Sequence, residues 1–287
     1  MSATASILLG IVSMVGFGVS DFIAKALLTK ANVIRTALIS QGIGSLLYLA
    51  AALAYDRALP SVSLLSLALF SGALSGAILC AYYVALSLGK ASLVAPIFSC
   101  LTVVAVVLSF LILGETLTPM ELSAIAIVFV GIVLVAYEGK TGSADRSRKL
   151  SVIVALSAAI LAGANLILQK WIAVSGHYLT GFFLTRISAV ALMVPLAQMP
   201  GQERHSVEVS TGWWKLALLG LIDVSAFFAW YLGLRVGLVS IVTPIATSSP
   251  AVTVVLAHLF LKERVRSHQR IGIIAIISGI VFLSAIS

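Results

Sequence analysis

AYYVALSLGKASLVAPIFSCLTVVAVVLSFLILGETLTPMELSAIAIVFVGIVLVA, residues 81–136, returns at residues 229–284 as AWYLGLRVGLVSIVTPIATSSPAVTVVLAHLFLKERVRSHQRIGIIAIISGIVFLS. The two stretches align without a gap at a constant offset of 148, with about a third of the positions identical. Tyr83, Gly89, Ser92, Pro96, Glu115 and Gly131 fall on Tyr231, Gly237, Ser240, Pro244, Glu263 and Gly279. Shared apolar composition raises the identity of any two such stretches, but it does not bring Tyr, Gly, Pro and Glu into register. The chain is a tandem duplication.

Composition sets the solvent. Of 287 residues, 61% are hydrophobic and 10% charged, where soluble domains average about 25% charged. With a mean hydropathy of +1.15 there is too little polar surface to cover a soluble core. Apolar runs of about 18 residues or more recur, the length a helix needs to cross the hydrocarbon. The alternating ten-residue pattern of a strand barrel is absent. An all-α, multi-pass membrane protein follows. The net charge of +8 lies mostly in short loops between apolar runs, where it orients a membrane protein; no nucleic-acid partner is expected. Cys80 and Cys100 lie in apolar runs and read as small hydrophobes rather than a disulfide. The first apolar run has no basic segment before it and reads as a retained span.

Ten spans fit: about 5–28, 33–55, 64–88, 91–113, 120–138, 150–172, 178–197, 214–236, 239–261 and 268–286. Residues 1–138 are then a first five-helix repeat, 139–149 (GKTGSADRSRK) a charged cytoplasmic linker, and 150–287 a second repeat. Weaker landmarks extend the duplication upstream: GVSDFIAKAL at 18–27 resembles GANLILQKWI at 163–172, setting Lys25 on Lys170, and IRTALIS at 34–40 resembles TRISAVA at 185–191, setting Arg35 on Arg186. A unit of five spans begins and ends on opposite sides of the membrane, so its copy must insert upside down. The loop GETLTPME around Glu115 has no Lys or Arg, whereas its counterpart KERVRSHQR around Glu263 has four. Opposite charge bias in homologous loops is what inverted insertion selects for. The loops after spans 1, 3, 5, 7 and 9, with their flanks, hold 14 of the 18 basic residues. That count puts both termini outside the cytoplasm of a bacterial-type inner membrane.

On these landmarks the chain resembles the EamA-type transporters of the drug/metabolite transporter superfamily. The residues that carry the likeness are Ser-x-x-x-Pro at 92–96 and 240–244, Glu115 and Glu263, and Gly-Ile-Val at 131–133 and 279–281. Size and apolar character are similar to YddG-like amino-acid exporters. The resemblance implies a monomeric carrier for a small-molecule substrate, held in the lipid bilayer. It implies a central cavity between the halves, lined mainly by spans 1–4 and 6–9.

A carrier needs a hydrated cavity at mid-membrane and helices that bend around it. Pro96, Pro244 and Pro250 are the candidate hinges, since each removes a helical hydrogen bond. Ser99, Thr102, Thr247, Ser248 and Ser249 can supply hydroxyls to the freed carbonyls. The aromatic pairs Tyr82–Tyr83 and Trp230–Tyr231 sit at equivalent places inside spans 3 and 8, while Trp213 and Trp214 suit an interfacial belt. Phe17 and Asn165 are expected at the cavity's sides, with Gln169 one turn from Asn165. Ionisable residues within spans call for a reason. Asp21 can pair with Lys25 four residues on. Asp223 can pair with Arg186, bind an amino group or carry a proton. The substrate-binding set is therefore Phe17, Tyr82, Ser99, Asn165, Asp223, Trp230, Thr247 and Ser248. Gly72, Gly76, Gly272 and Gly279 mark close helix contacts. No Walker-type loop, catalytic acid pair, nucleophile motif or metal-ligand cluster stands in the sequence, so no enzyme activity, cofactor or metal is expected. The function expected is secondary export of small metabolites, amino acids foremost (aromatic and neutral ones included), by alternating access. The alternatives are a cationic-drug efflux carrier and a non-transporting membrane receptor or lipid-handling enzyme.

Overall fold

The computed structural model describes residues 3–28, 33–56, 60–88, 94, 97–137, 146–197, 213–262 and 265–286. Ser92, Pro96, Glu263 and most of the linker fall outside the described residues, as do the side chains of Lys25, Arg35, Tyr83, Trp213 and Trp214. Among the described residues the regular structure is all helical: α1 Ala3–Leu28, α2 Val33–Tyr55, α3 Val62–Leu88, α4 Leu101–Leu113 and α5 Pro119–Ala136, then α6 Arg146–Ala173, α7 Tyr178–Ala197, α8 Trp213–Val236, α9 Val239–Ala246, α10 Ser249–Leu261 and α11 Ser267–Ile286. Among the described residues eight spans are long and apolar enough to cross a bilayer, α9 and α10 counting together as Val239–Leu261. Of the expected second and fourth spans, the described residues include the apolar stretches Gln41–Tyr55 and Ile97–Leu113. Neither cysteine is in a disulfide.

The repeat is visible in local geometry. The fourth span of each half is broken at equivalent residues: the Cys100 N–H donates to Ile97 O at 3.1 Å, and the Ser248 N–H to Ile245 O at 3.1 Å. Each is a tight turn three residues wide where an α-helix would span four. In the second half Pro250, in the first turn of α10, cannot donate back across the break. Both spans then end in a left-handed residue, Gly114 at φ 67° and its counterpart Lys262 at φ 55°. Glycine meets that turn without cost; lysine accepts strain of about 1 kcal/mol to keep it. α5 starts on a capping box readable in the sequence: Thr118 Oγ1 accepts from the Glu121 N–H, Glu121 accepts from the Thr118 N–H, and Pro119 fills the first turn.

Helices pack chiefly across the two halves. α1 lies on α8, α9 and α10, and correspondingly α6 lies on α3 and α4; α2 lies on α8 as α7 lies on α3; α2 meets α7, and α5 meets α11. Exchanging the halves returns the same set of contacts, as a two-fold relation between the repeats requires. Small residues permit these approaches. A Cβ on Gly131 would stand 2.8 Å from Gly272 O, and one on Gly272 2.7 Å from Gly131 O, so α5 and α11 touch backbone to backbone.

Candidate functional site

Between the halves lies a cavity of about 790 Å³. Its walls repeat the duplication. Leu79, Tyr82, Phe98, Ser99 and Leu101 line it together with their counterparts at the 148-residue offset, Phe227, Trp230, Ala246, Thr247 and Ser249. Phe17 and Asp21 of α1, Pro250, Thr253, Val254 and Ala257 of α10, and Asp223 of α8 complete the wall. Val135, Ala136, Val265, Arg266 and Gln269 line the end where the cavity reaches the ends of α5, α10 and α11.

Each wall residue is placed by local packing. Gly16 and Gly18 let α1 approach its neighbours: a Cβ there would come within 2.6 Å of Ala226 Cβ on α8 and 2.4 Å of Val252 Cβ on α10. Phe17, between them, meets Phe227 at 4.6 Å and Trp230 at 5.8 Å, both edge-to-face. Tyr82 packs on Phe98, centroids 4.5 Å apart. The second member of the Trp230–Tyr231 pair turns away: Tyr231 is buried and stacks on Phe182 at 3.6 Å.

Of the residues expected from sequence, Phe17, Tyr82, Ser99, Asp223, Trp230, Thr247 and Pro250 line this one cavity. Asn165 does not. It is buried between α6 and α3, accepting from the Ser71 hydroxyl at 2.8 Å and donating to Ser75 Oγ at 2.8 Å and Ser71 O at 3.3 Å, so it fastens two helices. Ser248 is also away from the wall: fully buried, it donates to Pro244 O at 2.7 Å, the carbonyl released by the break. Pro244 is buried within α9. Asp223 makes the ion pair that was one of its three expected roles, 3.3 Å from Arg186 Nη1. Arg186 is buried, donates to Gln41 Oε1 as well, and lies 4.0 Å from the centre of the Phe227 ring.

The opposite end of the cavity is sealed. Behind Thr247, its hydroxyl and that of Thr102 share a hydrogen bond of 3.0 Å, joining the two broken spans. Beyond them the buried Glu115 carboxylate accepts from the Val239 N–H at 2.7 Å, the Ser240 N–H at 2.9 Å and the Ser240 hydroxyl at 2.6 Å. An acidic group at a helix start is favourable twice, by hydrogen bonding and by the helix dipole. Lys170 completes the clamp by donating to Leu234 O and, at 2.5 Å, to Gly237 O, where α8 ends. The turn between α8 and α9 is thus gripped by one charge from each half.

Two stretches, residues 4–137 and 149–285, match the family described as the EamA-like transporter family. The chain belongs to that transporter family. Over 197 residues it is 25% identical to Protein PecM of Dickeya dadantii, covering 68% of this chain and 65% of that one. A stretch of 54 residues is 50% identical to the uncharacterized protein MJ1333.1 of Methanocaldococcus jannaschii, covering 19% and 39% of the respective chains. The chain therefore spans less than two thirds of the length of both relatives. A solved crystal structure matches it in fold with a TM-score of 0.79 at 19% identity, over 98% of this chain and 96% of the other. For an EamA-family member a two-repeat, multi-pass architecture around a small-molecule path is the shared plan, and the cavity between the repeats is this protein's candidate for that path. Phe227, Leu79 and Phe98 belong to its wall without having been singled out in the sequence, and Asp21 lines it although it was read there only as a partner for Lys25. The offset could have exposed Leu79 and Phe227, which are counterparts of each other.

Proposed function

We propose that this EamA-family protein is a secondary carrier that exports small metabolites, amino acids foremost, by alternating access. The observation that carries the reading is the cavity itself. Equivalent positions from both repeats form its wall, and it is sealed at the Glu115 end and reaches the surface at the Arg266 end. Inverted repeats exchange such ends when they rock about the shared site. The cavity's volume falls in the range of small-ligand pockets, and its aromatic walls, hydroxyls and carboxylates suit a zwitterion with an apolar side chain. We take the carrier to be a monomer of ten spans in two inverted halves, with both termini outside the cytoplasm of a bacterial-type inner membrane. The open end then faces the cytoplasm, as export requires.

Uptake of labelled amino acids, sugars and quaternary amines into proteoliposomes tests the function. Saturable flux of one or more amino acids is expected; flux of sugars alone, or of nothing, would remove the reading. Trp230→Ala and Tyr82→Ala should each change KM about five- to tenfold, and more for large side chains than for alanine, because apolar pockets discriminate by about 1–3 kcal/mol per group. Unchanged preference in both variants would move the site elsewhere.

Orientation has its own check. In a background lacking Cys80 and Cys100, Thr116→Cys should react with an impermeant maleimide on intact cells and Ser143→Cys should not. The opposite pattern reverses the orientation.

A further inference from the structure

Two carboxylates line the cavity, on facing helices, and they are not equivalent. Asp223 has its counter-cation within the protein, the buried Arg186 guanidinium at 3.3 Å. Asp21 makes no hydrogen bond or ion pair with any other described residue, and its side chain is exposed where it lines the cavity. The cavity's other lining charge, Arg266, follows α10 at the open end, where its backbone N–H is held by Gln269. Asp21 stands one helical turn from Phe17, on the same face of α1. Phe17 in turn touches Phe227 and Trp230. A carboxylate within a membrane span is expensive and calls for a partner, and among the described residues none supplies one. A carboxylate beside aromatic rings is the pairing that recognises an organic ammonium, by charge and by the ring faces together.

We propose that Asp21 binds the protonated amino group of the cargo, so that the carrier accepts amines and zwitterions and rejects molecules bearing only an acid. The amine enters past Arg266 and settles against Asp21 and the Phe17 ring. Arg186 keeps Asp223 satisfied and out of competition for the amine. The assignment rests on the carrier reading and names the cargo class for the same cavity.

Three compounds sharing one side chain separate the charges: 2-phenylethylamine, phenylalanine and 3-phenylpropionate. Binding is read as thermal stabilisation of the full-length protein in detergent, and transport as flux of labelled phenylalanine in proteoliposomes. The wild type should be stabilised by the amine and the amino acid but not by the acid. Asp21→Asn should weaken both amine-bearing compounds about tenfold, and Asp21→Glu should retain the preference. Equal weakening of all three, no weakening, or a wild type that binds 3-phenylpropionate as tightly as 2-phenylethylamine overturns the proposal. Should Asp21→Asn fail to insert, the wild-type series and Asp21→Glu still decide it. Asp21-dependent amine binding with no flux of any labelled amino acid would overturn the carrier reading and leave the amine site standing. Phenylalanine flux indifferent to Asp21→Asn would do the reverse.

Discussion

Alanine in place of Glu115 is expected to unseal the cavity at its closed end. The carboxylate accepts three hydrogen bonds there, two from the first N–H groups of α9 and one from Ser240, all buried. Bonds to a charged partner contribute about 1.5–3 kcal/mol each, and donors left buried without an acceptor add a penalty. If even about 3 kcal/mol of this is specific to the sealed arrangement, the ratio of sealed to unsealed molecules falls roughly 150-fold. Thr243, on α9 and fully buried, reports it. In a background lacking Cys80 and Cys100, Thr243→Cys should be inert toward a water-soluble thiol reagent when Glu115 is present and reactive when it is Ala. Glu115→Gln, which retains an acceptor oxygen, should lie between. Equal reactivity in all three would mean that the clamp holds the α8–α9 turn without controlling access.

Gly72→Ala is expected to leave little folded protein. The added Cβ would stand 2.2 Å from Thr185 O and 2.8 Å from the Thr185 Cα and carbonyl carbon, all backbone atoms with no rotamer to yield. α3 and α7 would have to separate, opening a contact around the buried Thr185 and Phe182. Overpacking costs about 1–3 kcal/mol even where side chains can move, and here none can. Gly42 of α2 is the control, since a Cβ there meets nothing within 4 Å. Gly42→Ala should be neutral or stabilising by up to about 1 kcal/mol, because alanine is the better helix former. Size-exclusion profiles and melting temperatures of the two variants in detergent check the contrast; equal melting temperatures would refute the close α3–α7 contact.

What could be read from the sequence was whatever the duplication writes twice. Tyr82 and Trp230, and Ser99 and Thr247, were legible as one site because each occurs at an equivalent place, and a two-fold arrangement brings equivalent places to a common interface. Residues present in one half only were less legible. Asn165 was expected in the cavity because it is polar within a span, but Ser71 and Ser75 supply its partners across a helix interface that no spacing along α6 reveals. Asp21 was read as a partner for Lys25, whose side chain lies outside the described residues, and helical spacing alone says nothing of which face of α1 turns to α8. Lys170, unexplained by loop charge, becomes intelligible once α8 ends against it. Ser248 shows how one hydroxyl can serve either a cargo or a backbone; the carbonyl of Pro244, freed by the break, decides for the backbone.

The exchange of partners between halves also bears on how the protein is made. α1 rests on α8, α9 and α10, α3 on α6 and α7, and α5 on α11. The first five helices emerge from the ribosome before any of these partners exists, so they enter the bilayer as separate hydrophobic rods with lipid on every side. Glycines such as Gly16, Gly72 and Gly131 stay uncovered through that interval, their counter-surfaces still untranslated. Maturation is then a late event, gated by the arrival of α6–α8 and finished when α11 closes on α5. Neither half is a domain in the ordinary sense, because the core of each is supplied by the other.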